Sequence, residues 1–241
     1  MNIVTLNALI EALQSGKPLN KVLVNRARGD KKIEMIKRLC RENRVAYQMV
    51  PPEAIKRKAG VQNQGVFAEL SPVRFYELEE ILKAVKTGLI LVLDRITDMG
   101  NLGALIRTAV AAEVDGILIS RRHSAPVNDT VFKTSAGALL KAKIVYSRNL
   151  SQDVDLLKEH GFWIAGTDIG GGIPYHTYDF TAPTVLIMGS EDRGLSALLS
   201  KKSDQLIFIP HSRDVESLNV SAAAAVILFE ALRQKEKPQR N

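Results

Sequence analysis

The run LILVLDRITDMGNLGALIRTA, residues 89–109, passes from five apolar residues through a polar turn into a helix-forming stretch. Five more apolar runs follow it: GILIS at 116–120, AKIVY at 142–146, FWIAGT at 162–167, TVLIMGS at 184–190 and QLIFIP at 205–210. Runs this short and this apolar suit strands buried on both faces, and the amphipathic stretches between them suit the helices that cover those faces. Six runs within about 120 residues predict a parallel α/β sheet with helices on both faces over residues 87–235. Glycine patterns that usually mark a nucleotide site on such a sheet are missing. There is no G-x-x-x-x-G-K-[ST], no G-x-G-x-x-G opening a helix after the first strand, and Gly170 to Gly172 stand alone before Pro174. The common ATP and NAD modes are therefore disfavoured.

Upstream of this region the chain changes character. Thr5–Gln14 has helical apolar spacing (Leu6, Leu9, Ile10, Leu13) and stops at Gly16 and Pro18; Lys21–Val24 then reads as a strand. A second cycle repeats the pattern, with a helix over Lys31–Asn43, a strand over Val45–Val50, a short helix opened by Pro51 and Pro52, and a strand over Gly65–Leu70. Residues 1–70 thus read as a small α/β domain, a small sheet covered by helices. Lys56, Arg57 and Lys58 and the loop AGVQNQG precede its last strand. Pro72 marks a boundary, 71–86 reads as a linker with a connecting helix over Arg74–Lys86, and 236–241 is a polar tail expected to fray.

Charge follows the same division. Residues 1–70 hold 13 Lys+Arg against 6 Asp+Glu, whereas 71–241 hold 20 of each, so the whole formal excess of +7 lies in the first segment. A basic folded segment beside an electroneutral one suits a module that meets a polyanion and a second module with another task, although a solvated basic face has the same composition. The 241 residues are 46% hydrophobic and 24% charged, an ordinary globular balance. No apolar run reaches the length of a membrane span, and Glu11 interrupts what would be a signal-peptide core, so the sequence predicts a cytoplasmic protein with no membrane partner. Cys40 has no second cysteine to pair with, and His123, His160, His176 and His211 lie far apart, so neither a disulfide scaffold nor a metal site is expected.

Three junctions from strand to helix carry unusual polarity: LDRITDMGNLGALIRTA (93–109), LIMGSEDRGLS (186–196) and IFIPHSRDVESLNVSAAAA (207–225). Together they resemble the motifs of the SpoU (TrmH) family of RNA ribose 2'-O-methyltransferases within the SPOUT class. The first family motif, Asp-Pro-Gly-Asn-x-Gly-x-x-x-Arg-x-Ala, matches Asp98–Ala109. The second, Gly-x-Glu-x-x-Gly-Leu, matches Gly189–Leu195, and the third, Ile-Pro ending in Ser-Leu-Asn-Val-Ser, matches Ile209–Ser221. The resemblance covers residues 89–235. Residues 1–70 in turn resemble the L7Ae/L30e-like RNA-binding domain of the bacterial 23S rRNA guanosine-2'-O-methyltransferase subgroup, from ALIEALQSGKPLNKVLV to QGVFAEL. Met99 stands in place of the usual Pro, Glu113 in place of a helix-ending Gly, and Arg213 in place of a loop Gly.

The resemblance implies S-adenosyl-L-methionine as cofactor, rRNA as partner, a homodimer, and a trefoil knot that general topological rules would never propose. Transfer of a methyl group to a 2'-hydroxyl needs a groove for the cofactor, a group orienting the ribose and charge favouring the developing alkoxide. Carried over residue by residue, the catalytic candidates are Asn101, Arg107, Glu191, Ser217 and Asn219, and the cofactor candidates Gly166, Thr167, Met188, Gly189, Ile209, Leu218 and Asn219. Arg107 lies one turn beyond Gly103 on the helix carrying Asn101. The family proposal makes it the base, but a guanidinium stays protonated, so phosphate clamping and alkoxide stabilisation suit it better and the proton acceptor is left open. Plainer readings exist for each: Arg107 pairing with Asp94 or Asp98, Glu191 favouring a helix N-terminus, Ser217 as an N-cap.

The small residues Ser221 to Ala225, followed by Val226, Ile227 and Phe229, suit close helix packing, which the resemblance reads as the dimer interface through Ala223 or Ala224. Trp163 and Tyr175 read as core or loop packing. Two other functions share the scaffold: a tRNA ribose 2'-O-methyltransferase, and a non-catalytic rRNA-binding assembly protein, against which the intact polar motif residues argue.

Overall fold

The computed structural model describes residues 2–60, 63–71, 73–169, 171–212, 214 and 216–236. Pro72, Arg213, Gly170, Val61 and Gln62 of the amide-rich loop, and the tail beyond Glu236 lie outside the described residues. Contacts divide the chain into two compact units, Met1–Arg74 with Val127–Asp129, and Phe75–Pro126 with Thr130–Asn241.

The first unit contains β1 (Asn2–Ile3), α1 (Leu6–Gln14), β2 (Leu19–Asn25), α2 (Lys31–Glu42), β3 (Tyr47–Val50), α3 (Pro52–Ala59) and β4 (Val66–Leu70). Its sheet runs β1-β4-β2-β3, with β3 parallel to β2 and β4 antiparallel to both β1 and β2. Apolar residues at helical spacing on α1 and α2 (Leu9, Leu13, Ile33, Ile36) form one core with Val22, Val24, Val66 and Ala68 of the sheet. Leu23 and Phe67, which alternate with those positions, form a second cluster with Ile55 of α3, so the sheet is covered on both faces. Cys40 is fully buried in the first core, and burial pushes its thiol up to about 12, which makes it an inert packing residue. Lys56, Arg57 and Lys58 are all exposed on α3.

The second unit contains α4 (Leu78–Leu82), β5 (Leu89–Leu93), α5 (Met99–Ala111), β6 (Gly116–Ser120), α6 (Asp129–Thr134), β7 (Ile144–Ser147), α7 (Leu150–Glu159), β8 (Trp163–Thr167), β9 (Ile173–Pro174), β10 (Thr184–Met188), α8 (Ala197–Lys202), β11 (Gln205–Phe208) and α9 (Val220–Lys235). All six expected strands form, and they pair in parallel in the order β7-β6-β5-β10-β8-β11-β9. The seventh, β9, is a two-residue edge strand that the apolar pattern does not reveal. The strand order does not show the trefoil knot. Every residue of β5 is buried, and so is every residue of β10 beside it, as two-sided cover requires.

Three local expectations need correction. The helix expected over Arg74–Lys86 is only Leu78–Leu82. Phe75 bridges to Ile144 and stacks its ring 4.3 Å from that of Tyr146, while at the other end the Asp115 carboxylate accepts from the backbone amides of Lys86, Thr87 and Gly88, so both flanks are committed elsewhere. Trp163 is 58% exposed rather than packed, because it opens β8 at the amino end of the strand, where its amide donates to Pro183. On α9 the small residues do not form one outward face. Ala224, Ile227, Leu228 and Ala231 are buried within the chain, and the exposed apolar residues are Ala222, Val226 and Phe229.

The departure at 113, Glu in place of Gly, has a clear geometry. Val114 donates to Ala109 and Glu113 to Val110, the paired bonds of a helix end that requires a left-handed residue, and Glu113 has φ of 55°. The same bonds end α7 around Gly161, where φ is 83°. A side chain in this conformation costs roughly 1 kcal/mol relative to glycine, a penalty that α5 carries and α7 avoids.

The end of α9 is tied to the segment before β10. Gln234 donates to the Tyr178 carbonyl and to Glu230 and accepts from the Phe180 amide, while Arg233 donates two bonds, 2.8 and 2.7 Å, to the Glu230 carboxylate. These donors hold the Glu230 carboxyl at about 2, below the ordinary 4.5. A depressed folded value means that the contribution is complete above pH 4.5 and lost as pH falls toward 2. The stability difference between wild type and Glu230→Gln, followed by urea unfolding, is accordingly expected to shrink as pH is lowered from 5 through 3. A difference that is constant over that range contradicts the assignment.

Candidate active site

The three polar junctions leave the carboxyl ends of β5, β10 and β11, where open α/β sheets place their ligands. The first leads through Asp98, which caps α5 by accepting from the Asn101 amide at 2.7 Å. The helix thus begins at Met99, which occupies the first helical position, the one in which Pro is tolerated. The second junction is a tight loop closed by reciprocal bonds between Ser190 and Gly194, 3.1 and 2.8 Å, with Glu191 next to the closing pair. Gly189 is required there because a Cβ would lie 2.2 Å from the Gly194 backbone; the crowding comes from the loop itself. The third junction ends at Asn219, which caps α9.

Asn219 decides the geometry. Its Oδ1 accepts from the Ser221 amide at 3.0 Å and from the Ser221 hydroxyl at 2.6 Å, so its Nδ2 must point the other way. That Nδ2 donates to Asn101 Oδ1 at 3.0 Å and to Glu191 Oε2 at 3.4 Å, and Asn101 Nδ2 donates to the same Glu191 oxygen at 3.3 Å. One residue from each junction therefore meets in a closed triangle. The cap is Asn219 and not Ser217, which is half-buried and lines the adjoining pocket instead.

That pocket adjoins the triangle through Glu191 and opens to solvent. Its walls include Thr167, Met188, Gly189, Ile209 and Leu218 from the cofactor candidates, together with Glu191 and Ser217. Asn219 is not in the wall, and neither is Gly166. Gly166 is buried one residue behind, where a Cβ would meet the Ser203 hydroxyl at 2.3 Å and the Leu195 side chain at 2.8 Å, so it permits close packing under the pocket. Sequence reasoning missed Asp168, Ile169, His211 and Ala223, which also line the pocket. Following each strand end one or two residues further, as the strand-end rule allows, would have reached Asp168 and Ile169.

Arg107 stands apart. It is exposed on α5, six residues beyond Asn101 and so about 9 Å further along the axis. Neither of the carboxylates considered as its partner engages it. Asp94 pairs with Arg95, and Asp98 is spent on the cap. Gly103, one turn before it, is buried and lets α6 approach, since a Cβ there would lie 1.9 Å from the Thr134 hydroxyl.

The SpoU rRNA Methylase family matches residues 88–229, which include all three junctions and the triangle. The chain belongs to this family. Residues 6–76 match the RNA 2'-O ribose methyltransferase substrate binding family. A Staphylococcus aureus (strain COL) protein assigned by name to the TrmH family of tRNA/rRNA methyltransferases is 35% identical over 237 residues, covering 97% of this chain and 96% of its own length. Among solved structures, the SpoU methyltransferase AviRb of Streptomyces viridochromogenes in complex with the cofactor AdoMet is 28% identical with a TM-score of 0.61, covering 98% of this chain and 90% of its own. The A. aeolicus TrmH/SpoU tRNA modifying enzyme is 31% identical with a TM-score of 0.58, over 66% of this chain and 81% of its own. The chain is thus an α/β RNA methyltransferase of SpoU type with an N-terminal substrate-binding domain. Among the described residues there is no group of three or more His, Cys, Asp or Glu placed to hold a metal, and no helix long and apolar enough to cross a membrane.

Proposed function

We propose that this chain transfers a methyl group from S-adenosyl-L-methionine to a ribose 2'-hydroxyl of rRNA, at a guanosine of 23S rRNA. The observation that carries the reading is the Asn101–Glu191–Asn219 triangle, whose Glu191 also lines a mostly apolar pocket. The pocket suits the cofactor: Ile207, Ile209 and Leu218 offer apolar contact to an adenine, Thr167 and Ser217 offer hydroxyls, and Glu191 and Asp168 offer negative charge to a cation. When bound, the cofactor supplies an electrophilic methyl on a sulfonium. The chain's own part is positioning. Asn101 and Asn219 hold the Glu191 carboxylate beside the pocket, Ser217 and Leu218 line its wall, and the guanidinium of Arg107 clamps the acceptor phosphate and favours the developing alkoxide.

In this reading residues 1–70 supply the affinity for RNA, residues 71–86 connect, and residues 87–235 hold the cofactor. The enzyme acts in the cytoplasm as a homodimer, and the second copy brings acceptor-side groups such as Arg107 to the pocket. The apolar face of α9 that supports the dimer is Ala222, Val226 and Phe229, with Phe229 49% exposed. Sedimentation is expected to give about 53 kDa, twice the 26.5 kDa chain, and Phe229→Glu to give a monomer with reduced methylation. A wild-type monomer at micromolar concentration with full activity would refute both the interface and the shared site. A tRNA substrate is favoured by the likeness to the A. aeolicus enzyme. Mapping ribose methylation in the rRNA and tRNA of a deletion strain separates the two: loss of one rRNA mark supports the proposal, and loss of a tRNA mark overturns its substrate.

A further inference from the structure

Arg95 has no role in the motif reading, yet it occupies a costly conformation. It is a non-glycine residue at φ of 60°, two residues beyond the end of β5, and its Nε is buried with no hydrogen-bond partner. Conformations of this kind persist only where surrounding contacts enforce them. The contacts are on the neighbouring loop. Arg95 Nη2 donates to the Gly194 carbonyl at 3.2 Å, the same oxygen that accepts from Ser190 to close the Glu191 loop. Asp94, only 5% exposed, accepts from the Ser196 amide at 2.7 Å through Oδ2, which also lies 3.5 Å from Arg95 Nε. The Asp94 amide in turn donates to the Met188 carbonyl.

We propose that Arg95, braced by Asp94, is a positioning residue that latches the 189–196 loop, so that Glu191 is presented to Asn101 and Asn219 and the loop forms the pocket wall. The latch rests on the reading of this pocket as the cofactor site. The loop is then tied from both ends: Asn101 and Asn219 hold Glu191, and Arg95 and Asp94 hold Gly194 and Ser196. A left-handed backbone is what turns the Arg95 side chain back toward the loop instead of onward with the strand direction, which explains why the strain is retained.

Because glycine adopts the same φ freely, Arg95→Gly removes the guanidinium without imposing strain, and a purely structural role is thereby separable from the latch. Arg193, exposed at the loop tip, provides a cofactor-free readout. In cofactor-free protein, trypsin cleavage after Arg193 is expected to be about tenfold faster in Arg95→Gly, with the melting temperature within about 3 °C of wild type. Calorimetry with S-adenosylmethionine should show the Kd raised by about tenfold, with part of the loss restored in Arg95→Lys, whose ammonium also reaches a carbonyl. Unchanged cleavage after Arg193 overturns the latch. So does a general rise in cleavage over the whole chain with a large fall in melting temperature, which is the mark of a scaffold residue. A wild-type protein that does not bind S-adenosylmethionine overturns the functional reading instead, and the cleavage comparison still decides the latch.

Discussion

Arg107→Ala is expected to lower single-turnover methyl transfer about a thousandfold while leaving the affinity for S-adenosylmethionine within about threefold of wild type. The separation follows from position. Arg107 is exposed on α5 and does not line the pocket, so its removal takes nothing from the cofactor wall, and no internal carboxylate is left unpaired by its loss. Its planar fork would act on the acceptor side, where charge develops only as the 2'-oxygen is alkylated, and an interaction confined to the transition state appears in the rate rather than in binding. Arg107→Lys should recover little, because a point charge does not reproduce two parallel donors on a phosphate. Cofactor affinity measured by calorimetry and transfer measured by quench give the two numbers. Lost binding with retained single-turnover transfer would reverse the assignment.

A chain shortened to residues 75–241 is expected to keep its cofactor affinity and to lose about a hundredfold in RNA affinity near 0.15 M salt. Every unit of the excess charge lies within residues 1–70. The salt dependence should fall with it, by about 2 to 4 in the slope of log affinity against log salt, because each phosphate contact on single-stranded RNA contributes about 0.7. The cut falls at Phe75 rather than later because Phe75 and Tyr76 pair with Ile144 of the larger sheet. Equal affinity and equal slope in the two chains would end the division of labour between the units.

Where burial sets the structure, the sequence was legible. β5 and β10 announce themselves as unbroken apolar runs because both of their faces are covered. β9 did not, since two residues make no period and its place at the sheet edge demands little of its side chains. The meeting of Asn101, Glu191 and Asn219 was legible only through the motif likeness, because nothing in the spacing of residues 90 and 118 positions apart requires contact. Arg95 was read only as one residue of a polar junction, since left-handed backbone at a charged residue leaves no trace in composition. The inward turn of Ala224 was missed for a related reason. A run of alanines has no apolar period to reveal which side faces in, and the burial of Ala224 is set by α5 packing against α9.

The placement of β10 between β5 and β8 has a consequence for how the enzyme comes into being on the ribosome. The first sheet, β1 to β4, pairs wholly within the first 70 residues and needs nothing later in the chain for its ladder. β5, in contrast, has a vacant edge until Thr184–Met188 emerges, a wait of about 5 to 20 seconds at ordinary synthesis rates. The bond from Asn219 to Asn101 spans 118 residues, so the polar triangle is among the last long-range contacts to close. On the proposed division of labour, a nascent chain therefore carries its basic module before its methyl-transfer site is closed, and it meets RNA before it is able to modify it.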